Sequence, residues 1–397
     1  MVKLAYQGQK LLSIPKTRER YLQKKINLAT KDLVRIEKTF SRLISEKKDD
    51  GLGQEKTMDS NGLSLFFKDI GQIIDPVIKD LLSVYTDEKT REIVAYQIED
   101  GGKRLRPALA VLSCLLCDGK IKDVLYPAAG LEIAHNYSLI IDDIIDNSIL
   151  RRGKPTTRAK YGESIANCIA IDYSAAIFQA ANRSKKPIEI SEIFAKTMKT
   201  AVDGEILDIL LGQRSREKET YVLENKYQNV TEKDYFEMVH QKTAAFLQTC
   251  CQVGGICADA TDKEIKHLKN VGFNLGVAGQ IKDDILDIFG EEKKFGKEIG
   301  KDIKEGKQGN ISILFALQEF SHRDKERFLN ILKKDKVSNS DIKIAISLIR
   351  KTNSCQKSLQ KGREFVARAK KALEFLPKNK WNAFLKLFAN FIIEREK

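Results

Sequence analysis

Residues 262–287 read DKEIKHLKNVGFNLGVAGQIKDDILD, and apolar side chains recur there every three or four positions. One such series is Ile265, Leu268, Val271 and Leu275. This spacing is that of an amphipathic α-helix. No proline interrupts the chain between Pro187 and Pro377, and short strands do not alternate with helices. The predicted fold class is therefore all-α, built of long helices.

The composition excludes several classes of protein. The chain has 397 residues, of which 42% are hydrophobic, and this content is too high for a largely disordered chain. No apolar run approaches the roughly 18 residues of a transmembrane helix. The first residues contain no apolar segment of the kind found in secretory signals, and we read the seven cysteines as reduced thiols. We therefore predict a cytoplasmic protein without a transmembrane span.

The net charge of +14 allows anionic partners of several kinds. The positive charge is spread along the chain, and no dense basic run with interleaved aromatic residues occurs. We therefore predict no nucleic-acid partner and favour small anionic substrates.

Residues 1–60 differ from the rest, because they contain fourteen basic and eight acidic residues. They carry an apolar stripe at helical spacing: Ile26, Ala29, Leu33, Ile36, Phe40 and Leu43. We predict a basic amphipathic arm that packs on the body or on a partner subunit. Peripheral contact with a membrane surface through this arm is the alternative.

The strongest chemical signal is a repeated acidic pattern, DDIID at residues 142–146 and DDILD at residues 283–287. The first and last carboxylates of each pattern share one helix face. Clustered carboxylates repel one another unless a cation lies between them. Two or three hard oxygen ligands suit Mg²⁺, which takes its remaining ligands from water and from substrate phosphates. The pair of patterns therefore predicts a magnesium–diphosphate site.

Polar residues lead into both acidic patterns along otherwise apolar helices. His135 and Ser138 precede the first pattern, and Gly276 and Gln280 precede the second. A polar stripe on a buried helix costs free energy unless it lines a polar cavity. Two such helices facing each other would form a deep cleft with carboxylates on both walls.

Basic elements accompany the acids. They are GGKRLRP at 101–107, RRG at 151–153, Lys242-Thr243, GKEIGKD at 296–302 and EGK at 305–307. Lysine, arginine and free backbone N–H groups are suited to holding a diphosphate. With GEILD at residues 204–208, these motifs make the chain resemble trans-isoprenyl diphosphate synthases of the polyprenyl synthetase family. The motifs span residues 101–307, and we expect residues 61–397 to form the catalytic domain.

The resemblance implies a helical bundle around a central cavity, usually a homodimer, that joins an allylic diphosphate to isopentenyl diphosphate. It implies two or three Mg²⁺ ions on Asp142, Asp143, Asp146, Asp283, Asp284 and Asp287. It assigns the allylic diphosphate to Arg151, Lys242, Thr243, Gln280, Lys297 and Lys307. It assigns isopentenyl diphosphate to Lys103, Arg106, His135 and Arg152. The catalytic residues would be Lys242, Thr243 and Gln280. Lys242 would bind the leaving diphosphate, while the Thr243 carbonyl and the Gln280 amide would offer weak dipoles to the allylic cation.

Product length depends on what closes the cavity below the first acidic pattern. Tyr137 lies five residues before Asp142, about 7.5 Å along the helix axis. In the family an aromatic residue at this position limits the chain, and the small Ser138 leaves some room. The combination resembles archaeal-type geranylgeranyl diphosphate synthases, so we predict geranylgeranyl diphosphate, with farnesyl diphosphate as the alternative. Gly279 stands where the family usually has phenylalanine, which puts this length in question.

Two other functions compete with this interpretation. A class I terpene cyclase also ionises an allylic diphosphate, but it needs no isopentenyl diphosphate site and normally has a different second metal motif. A non-catalytic partner subunit of a heteromeric synthase would tend to lose its acidic motifs, and both are intact here. We expect an active prenyltransferase.

Overall fold

The computed structural model describes residues 60–99, 101–213, 219–290, 299–334 and 336–395. Within these ranges the chain is almost entirely helical, with one antiparallel hairpin of two short strands. The all-α prediction is confirmed. The predicted arm, residues 1–60, lies outside the described residues except for Ser60.

The described part contains seventeen α-helices, one π-helical turn and two strands. The helices are α1 (Ser60–Ser83), α2 (Arg91–Glu99), α3 (Leu105–Leu116), α4 (Ile121–Ile145), α5 (Thr157–Tyr161), α6 (Glu163–Asn182), α7 (Pro187–Leu211), α8 (Thr220–Asn225), α9 (Glu232–Val239), α10 (Ala245–Cys257), α11 (Asp262–Phe289), α12 (Lys301–Lys304), α13 (Ile311–Glu319), α14 (His322–Leu332), α15 (Asn339–Ile349), α16 (Ser354–Leu373) and α17 (Lys380–Glu394). The π-helical turn is His240–Ala244, and the strands are β1 (Leu150–Arg151) and β2 (Lys154–Pro155). None of the described helices is long and apolar enough to span a bilayer.

Helix α11 lies at the centre, packed against α10 and α16. Its predicted apolar stripe is the reason, because Leu268, Val271 and Leu275 are fully buried and Ile265 lies at the edge of the core. Each such side chain contributes about 1.5–3 kcal/mol when it leaves water. Helix α10 also packs on α3, and α4 packs on α6, so the two helices that carry the acidic patterns belong to one continuous core.

The π-helical turn lies between α7 and α11, and two glycines permit this close approach. A Cβ atom on Gly204 would overlap the backbone nitrogen of Lys242. A Cβ atom on Gly276 would lie 2.6 Å from the Cα atom of Ala244, which is too close for a real contact. The turn is thereby pressed between the two helices, and its side chains reach both of them. Such π-helical turns are often found at functional sites.

Candidate active site

The first acidic pattern lies at the C-terminal end of α4. Asp142 and Asp146 remain partly accessible, with 24% and 10% of their side chains exposed. Asp143 points the other way and is buried. Both of its oxygens accept hydrogen bonds from Arg151, at 2.8 Å from Nη2 to Oδ1 and 2.9 Å from Nε to Oδ2. Asp142 and Asp146 are thus the two carboxylates of this pattern that the cleft can use.

Lys242 extends from the π-helical turn to the carboxylates of α7. Its Nζ atom lies 2.7 Å from Oδ2 of Asp208 and 2.6 Å from Oε2 of Glu205. It is also 4.0 Å from Oδ1 of Asp142. Burial lowers the pKa of Lys242, but the charge of Asp208 and its neighbours outweighs this effect and leaves the pKa raised. The ammonium is therefore a permanent positive charge beside the first acidic pattern.

Glu205 is the weaker acid of the two carboxylates that hold Lys242. Burial raises its pKa to about 7, although the positive charge of Lys242 opposes the shift. For Asp208, burial also raises the pKa, but the charges of Lys242 and Lys307 outweigh burial and leave it lowered. Asp208 is therefore the permanent counter-charge of Lys242, whereas Glu205 can take up a proton near neutral pH.

Lys307 approaches the same acidic pattern at Asp146. Its Nζ atom lies 3.4 Å from Oδ2 of Asp146 and 3.5 Å from Oδ2 of Asp208. Lys301 contributes a second ammonium, 3.9 Å from Asp146. A small polar cavity lies here, lined by Asp146, Glu205, Asp208, Ile209, Gly212, Glu305 and Lys307. The carboxylates that face the cleft are thus balanced by three lysines, Lys242, Lys301 and Lys307.

A hydrogen-bonded chain joins the π-helical turn to the second acidic pattern. Oγ1 of Thr243 donates to Oε1 of Gln280 at 2.9 Å. Nε2 of Gln280 in turn donates to Oδ1 of Asp284 at 2.9 Å. The orientation of the Gln280 amide is fixed at both ends, so its dipole is held in place before any substrate binds.

The three carboxylates of the second acidic pattern lie in different environments. Asp283 is 51% exposed and pairs with Arg395. Asp284 is buried and accepts the backbone N–H of Ile311 at 2.9 Å. Asp287 accepts the backbone N–H groups of residues 301 and 302, at 2.9 and 3.2 Å. Of this pattern, Asp283 alone presents its carboxylate to solvent among the described residues, while the other two fix the start of α12 and of α13.

The basic turn before α3 contains one structural arginine and one available arginine. Arg104 is buried and pairs with Asp75 at 2.7 Å and with Glu132 at 3.0 Å. The buried Nε atom of Arg106 finds no hydrogen-bond partner among the described residues. Its guanidinium lies 5.8 Å from the centre of the Phe246 ring. A half-buried guanidinium whose buried Nε donor is unused is suited to an anionic ligand.

The other residues predicted to bind isopentenyl diphosphate lie around this turn. Arg152 donates a hydrogen bond to the carbonyl oxygen of Gly101, which places the RRG segment against the basic turn. Lys103 is exposed at the same turn. Burial, followed by the charges of Arg106 and Arg152, lowers the pKa of His135 well below its usual value. His135 is therefore neutral at physiological pH, and Lys103, Arg106 and Arg152 supply the positive charge of this region.

The site suits a metal ion that is coordinated jointly by protein carboxylates and by the substrate. No three His, Cys, Asp or Glu side chains among the described residues form a complete metal site by themselves. Asp142 and Asp146 offer hard oxygen atoms one helical turn apart on the cleft side of α4. Proteins usually bind Mg²⁺ through one or two carboxylates, and substrate phosphates supply further ligands.

Most of the predicted site residues of the two acidic patterns and the basic segments come together at one end of α4 and α11. Lys297 lies outside the described residues. Sequence reasoning did not assign site roles to Arg104, Glu205, Asp208 and Arg395. The GEILD motif was the available signal for Glu205 and Asp208, whereas nothing in the local sequence around Arg395 indicates its contact with Asp283.

Comparisons with known proteins agree with this geometry. The polyprenyl synthetase family model matches residues 87–349. A short chain isoprenyl diphosphate synthase of Methanocaldococcus jannaschii is 36% identical over 292 residues, which cover 73% of this chain and 84% of that protein. A geranylgeranyl diphosphate synthase of Saccharolobus solfataricus is 34% identical over 350 residues, covering 86% of this chain and 100% of that protein.

A solved structure supports the same assignment. The crystal structure of a geranylgeranyl pyrophosphate synthetase from Pyrococcus horikoshii superposes with a TM-score of 0.74 at 32% identity. The match covers 84% of this chain and 99% of that chain. The residues matched by the family model, 87–349, contain both acidic patterns and all the basic segments. The chain therefore belongs to the polyprenyl synthetase family.

Proposed function

We propose that this protein is a trans-prenyltransferase that condenses isopentenyl diphosphate with allylic diphosphates to form geranylgeranyl diphosphate. The observation that carries the proposal is the position of Lys242, whose ammonium lies between the carboxylates of α7 and the first acidic pattern. The relatives with synthase names support the same chemistry.

The allylic diphosphate binds between the two acidic patterns in this proposal. Its ligands are Arg151, Lys242, Thr243, Gln280, Lys297 and Lys307. Two or three Mg²⁺ ions would be held by the accessible carboxylates of Asp142, Asp146 and Asp283, together with the diphosphate. Asp143, Asp284 and Asp287, which are buried, would support them from behind. When bound, the metal neutralises the charge that grows on the leaving diphosphate. The lysines supply the same kind of stabilisation from fixed positions, because their carboxylate partners already hold them around the cleft.

Isopentenyl diphosphate binds at the basic turn, held by Lys103, Arg106, His135 and Arg152. The unused Nε donor of Arg106 is the strongest support for this assignment. A neutral His135 donates or accepts a hydrogen bond there without adding charge.

The allylic cation needs a cavity that excludes water and offers only weak dipoles. Thr243 and Gln280 supply such dipoles, and their mutual hydrogen bond fixes them. The double bond of isopentenyl diphosphate then attacks the cation, and a proton leaves to the departing diphosphate. No protein nucleophile is required for this sequence of ionisation, condensation and elimination.

Tyr137 would set the product length by closing the cavity, with Ser138 leaving space beside it. Tyr137 is half-buried and packs against the core. At Gly279 an added Cβ atom would meet only Ile392, at 3.9 Å, so this position is open where the family usually has a large side chain. Geranylgeranyl diphosphate is the product we propose, and farnesyl diphosphate is the alternative.

A homodimer is supported by an exposed apolar surface on α6 and α7. Ile171 and Phe178 on α6 are 71% and 47% exposed, and Val202 and Ile206 on α7 are 51% and 47% exposed. Exposed apolar side chains on two helices that pack on each other favour association. We propose that a second copy of the chain covers this surface. Light scattering should then give twice the chain mass of 45.0 kDa, and a monomer would contradict the proposal.

A cytoplasmic location is supported by the thiols. All seven cysteines are free, including Cys114 and Cys117, which are spaced as C-x-x-C. Burial raises the pKa of Cys117 to about 12, which keeps this thiol protonated and unreactive. Free thiols are typical of a reducing compartment.

A product assay tests the proposed function. The protein would receive Mg²⁺, labelled isopentenyl diphosphate and dimethylallyl, geranyl or farnesyl diphosphate in turn. After phosphatase treatment, geranylgeraniol should dominate. Farnesol as the limit would support the alternative product, and a cyclic hydrocarbon formed without isopentenyl diphosphate would indicate a terpene cyclase. No condensation by folded protein with any primer would favour a subunit that needs a partner.

A further inference from the structure

Lys307 lies on a segment with little structure of its own. We call residues 300–310 the Lys307 segment. It contains one helix of four residues, α12, followed by a turn at residues 305–307. Its first end is fixed by Asp287, which accepts the backbone N–H groups of residues 301 and 302. A short helix is marginal by itself, so the position of the far end depends on other contacts.

Asn310 forms the far end of the segment and is fully buried. Its Oδ1 atom accepts the backbone N–H groups of Ser312 and Ile313, at 2.9 and 3.2 Å. This is the usual bonding of an asparagine at a helix N-terminus, and it begins α13.

The other half of the Asn310 side chain bonds within the segment. Nδ2 donates to Oδ2 of Asp302 at 2.8 Å and to the backbone oxygen of Asp284 at 3.3 Å. A serine or an aspartate could also begin the helix, but neither offers an amide donor. Through this donor, the far end of the segment is bonded both to its beginning, at Asp302, and to the second acidic pattern, at Asp284.

The contact with Asp302 bears directly on Lys307. The backbone N–H of Lys307 donates to the backbone oxygen of Asp302 at 2.7 Å. On its other side the turn is paired with the end of α7, where the N–H of Gln213 donates to the oxygen of Gly306 at 2.8 Å. With its backbone held in this way, Lys307 extends its ammonium to Asp146 in the first acidic pattern.

From this geometry we infer that Asn310 is a positioning residue for the reaction, which acts through Asp302 to place the Lys307 ammonium over the allylic diphosphate. The inference rests on the proposed function, in which Lys307 binds that diphosphate. The inference predicts that a change at Asn310 affects the allylic diphosphate only, because in the proposed function isopentenyl diphosphate binds at the separate basic turn.

The first test is Asn310→Ser, which keeps an oxygen for the start of α13 and loses the donor to Asp302. We expect kcat/KM for the allylic diphosphate to fall roughly ten-fold, as for the loss of a hydrogen bond to a charged group. The KM for isopentenyl diphosphate should stay unchanged. Asn379→Ser is the matched control, because Asn379 begins α17 in the same way, far along the chain from the acidic patterns. It should leave both parameters as in the original protein.

The second test exchanges the donor and the acceptor. Asn310→Asp places a second carboxylate beside that of Asp302. It should lower kcat/KM for the allylic diphosphate at least as much as Asn310→Ser does. In the Asp302→Asn background, the same Asn310→Asp change restores an amide–carboxylate pair and should cost nothing further. Should Asn310→Asp alone fail to fold, the comparison of Asp302→Asn with the exchanged pair still decides. If adding Asn310→Asp to Asp302→Asn lowers kcat/KM for the allylic diphosphate as much as Asn310→Ser does in the original protein, the inference is overturned.

Lys307→Gln separates this inference from the proposed function. If it leaves the allylic KM and kcat unchanged, the role proposed for Lys307 is wrong, and the inference falls with it. If Lys307→Gln impairs the allylic parameters while folded Asn310→Ser matches the original protein, the proposed function stands and the inference alone is overturned.

Discussion

The guanidinium of Arg395 lies 2.7 Å from the carboxylate of Asp283, 112 residues earlier in the chain. The same guanidinium donates to the backbone oxygen of Gly279 at 3.2 Å. The end of α17 thereby contacts the helix that carries the second acidic pattern, at the one carboxylate of that pattern that is exposed. Arg395 and a metal ion would compete for this carboxylate.

Removing Arg395 should therefore allow the second acidic pattern to bind Mg²⁺ more readily. We expect Arg395→Ala to lower the Mg²⁺ concentration for half-maximal activity by a few-fold, because a partly exposed ion pair contributes about 0.2–1 kcal/mol. Arg395→Lys keeps the positive charge and serves as the control. An unchanged or higher Mg²⁺ requirement in the alanine variant would contradict competition for Asp283.

Asp283 and Asp284 should respond differently to substitution, although they are adjacent. Asp284→Ala leaves the N–H of Ile311 and the amide of Gln280 without an acceptor, and it should lower the free energy of unfolding by roughly 2 kcal/mol. Asp283→Asn should leave the melting temperature nearly unchanged and reduce turnover by roughly a hundred-fold. Thermal unfolding and steady-state kinetics of both variants test this. Equal melting temperatures would show that Asp284 is not a structural anchor.

The raised pKa of Glu205 predicts a dependence of stability on pH. Its pKa of about 7 in the folded protein exceeds the ordinary value of 4.5, so the folded state binds a proton that the unfolded chain releases. The contribution of protonated Glu205 to the free energy of unfolding is fully present below pH 4.5 and is lost as the pH rises through about 7. Glu205→Gln, which resembles the protonated acid, should gain stability relative to the original protein on the order of 2 kcal/mol between pH 5 and pH 8.

Thermal unfolding in the presence of a chelator would measure this difference. Asp203→Asn, an exposed change on the same helix, is the control and should give the same pH profile as the original protein. Parallel profiles for Glu205→Gln and the original protein would exclude a raised pKa at Glu205.

Product length should depend on Tyr137. Replacing this ring with the methyl group of alanine removes the proposed block below the first acidic pattern, so Tyr137→Ala should lengthen the main product by at least one isoprene unit. Tyr126→Ala makes the same change three helical turns earlier on α4 and should leave the product length unchanged. Chromatography of the dephosphorylated products distinguishes the two. If the Tyr137 variant gives the original product, the cavity is closed elsewhere.

Patterns within one helix were the most predictable part of this protein. The period of three and four along α11 identified side chains that are fully buried, because helix geometry alone places them on one face. The acidic patterns were likewise visible, because i and i+4 carboxylates share a face. Both properties depend on nearby residues only.

Contacts between distant segments were not predictable in the same way. Asp143, Asp284 and Asp287 look equivalent to their neighbours in the sequence, yet their carboxylates turn to Arg151 and to backbone N–H groups of later segments. Which carboxylate stays available depends on how the chain folds back after α4 and after α11. The Arg395–Asp283 pair depends on the packing of α17, which no local spacing encodes.

The most direct test of the central claim is condensation measured with and without an intact first acidic pattern. Labelled isopentenyl diphosphate, farnesyl diphosphate and Mg²⁺ would be given to the original protein and to Asp142→Asn. We predict geranylgeranyl diphosphate from the original protein, and turnover reduced roughly a hundred-fold in a variant whose melting temperature is unchanged. Full turnover by Asp142→Asn would contradict the assignment of the paired acidic patterns as the site of the reaction.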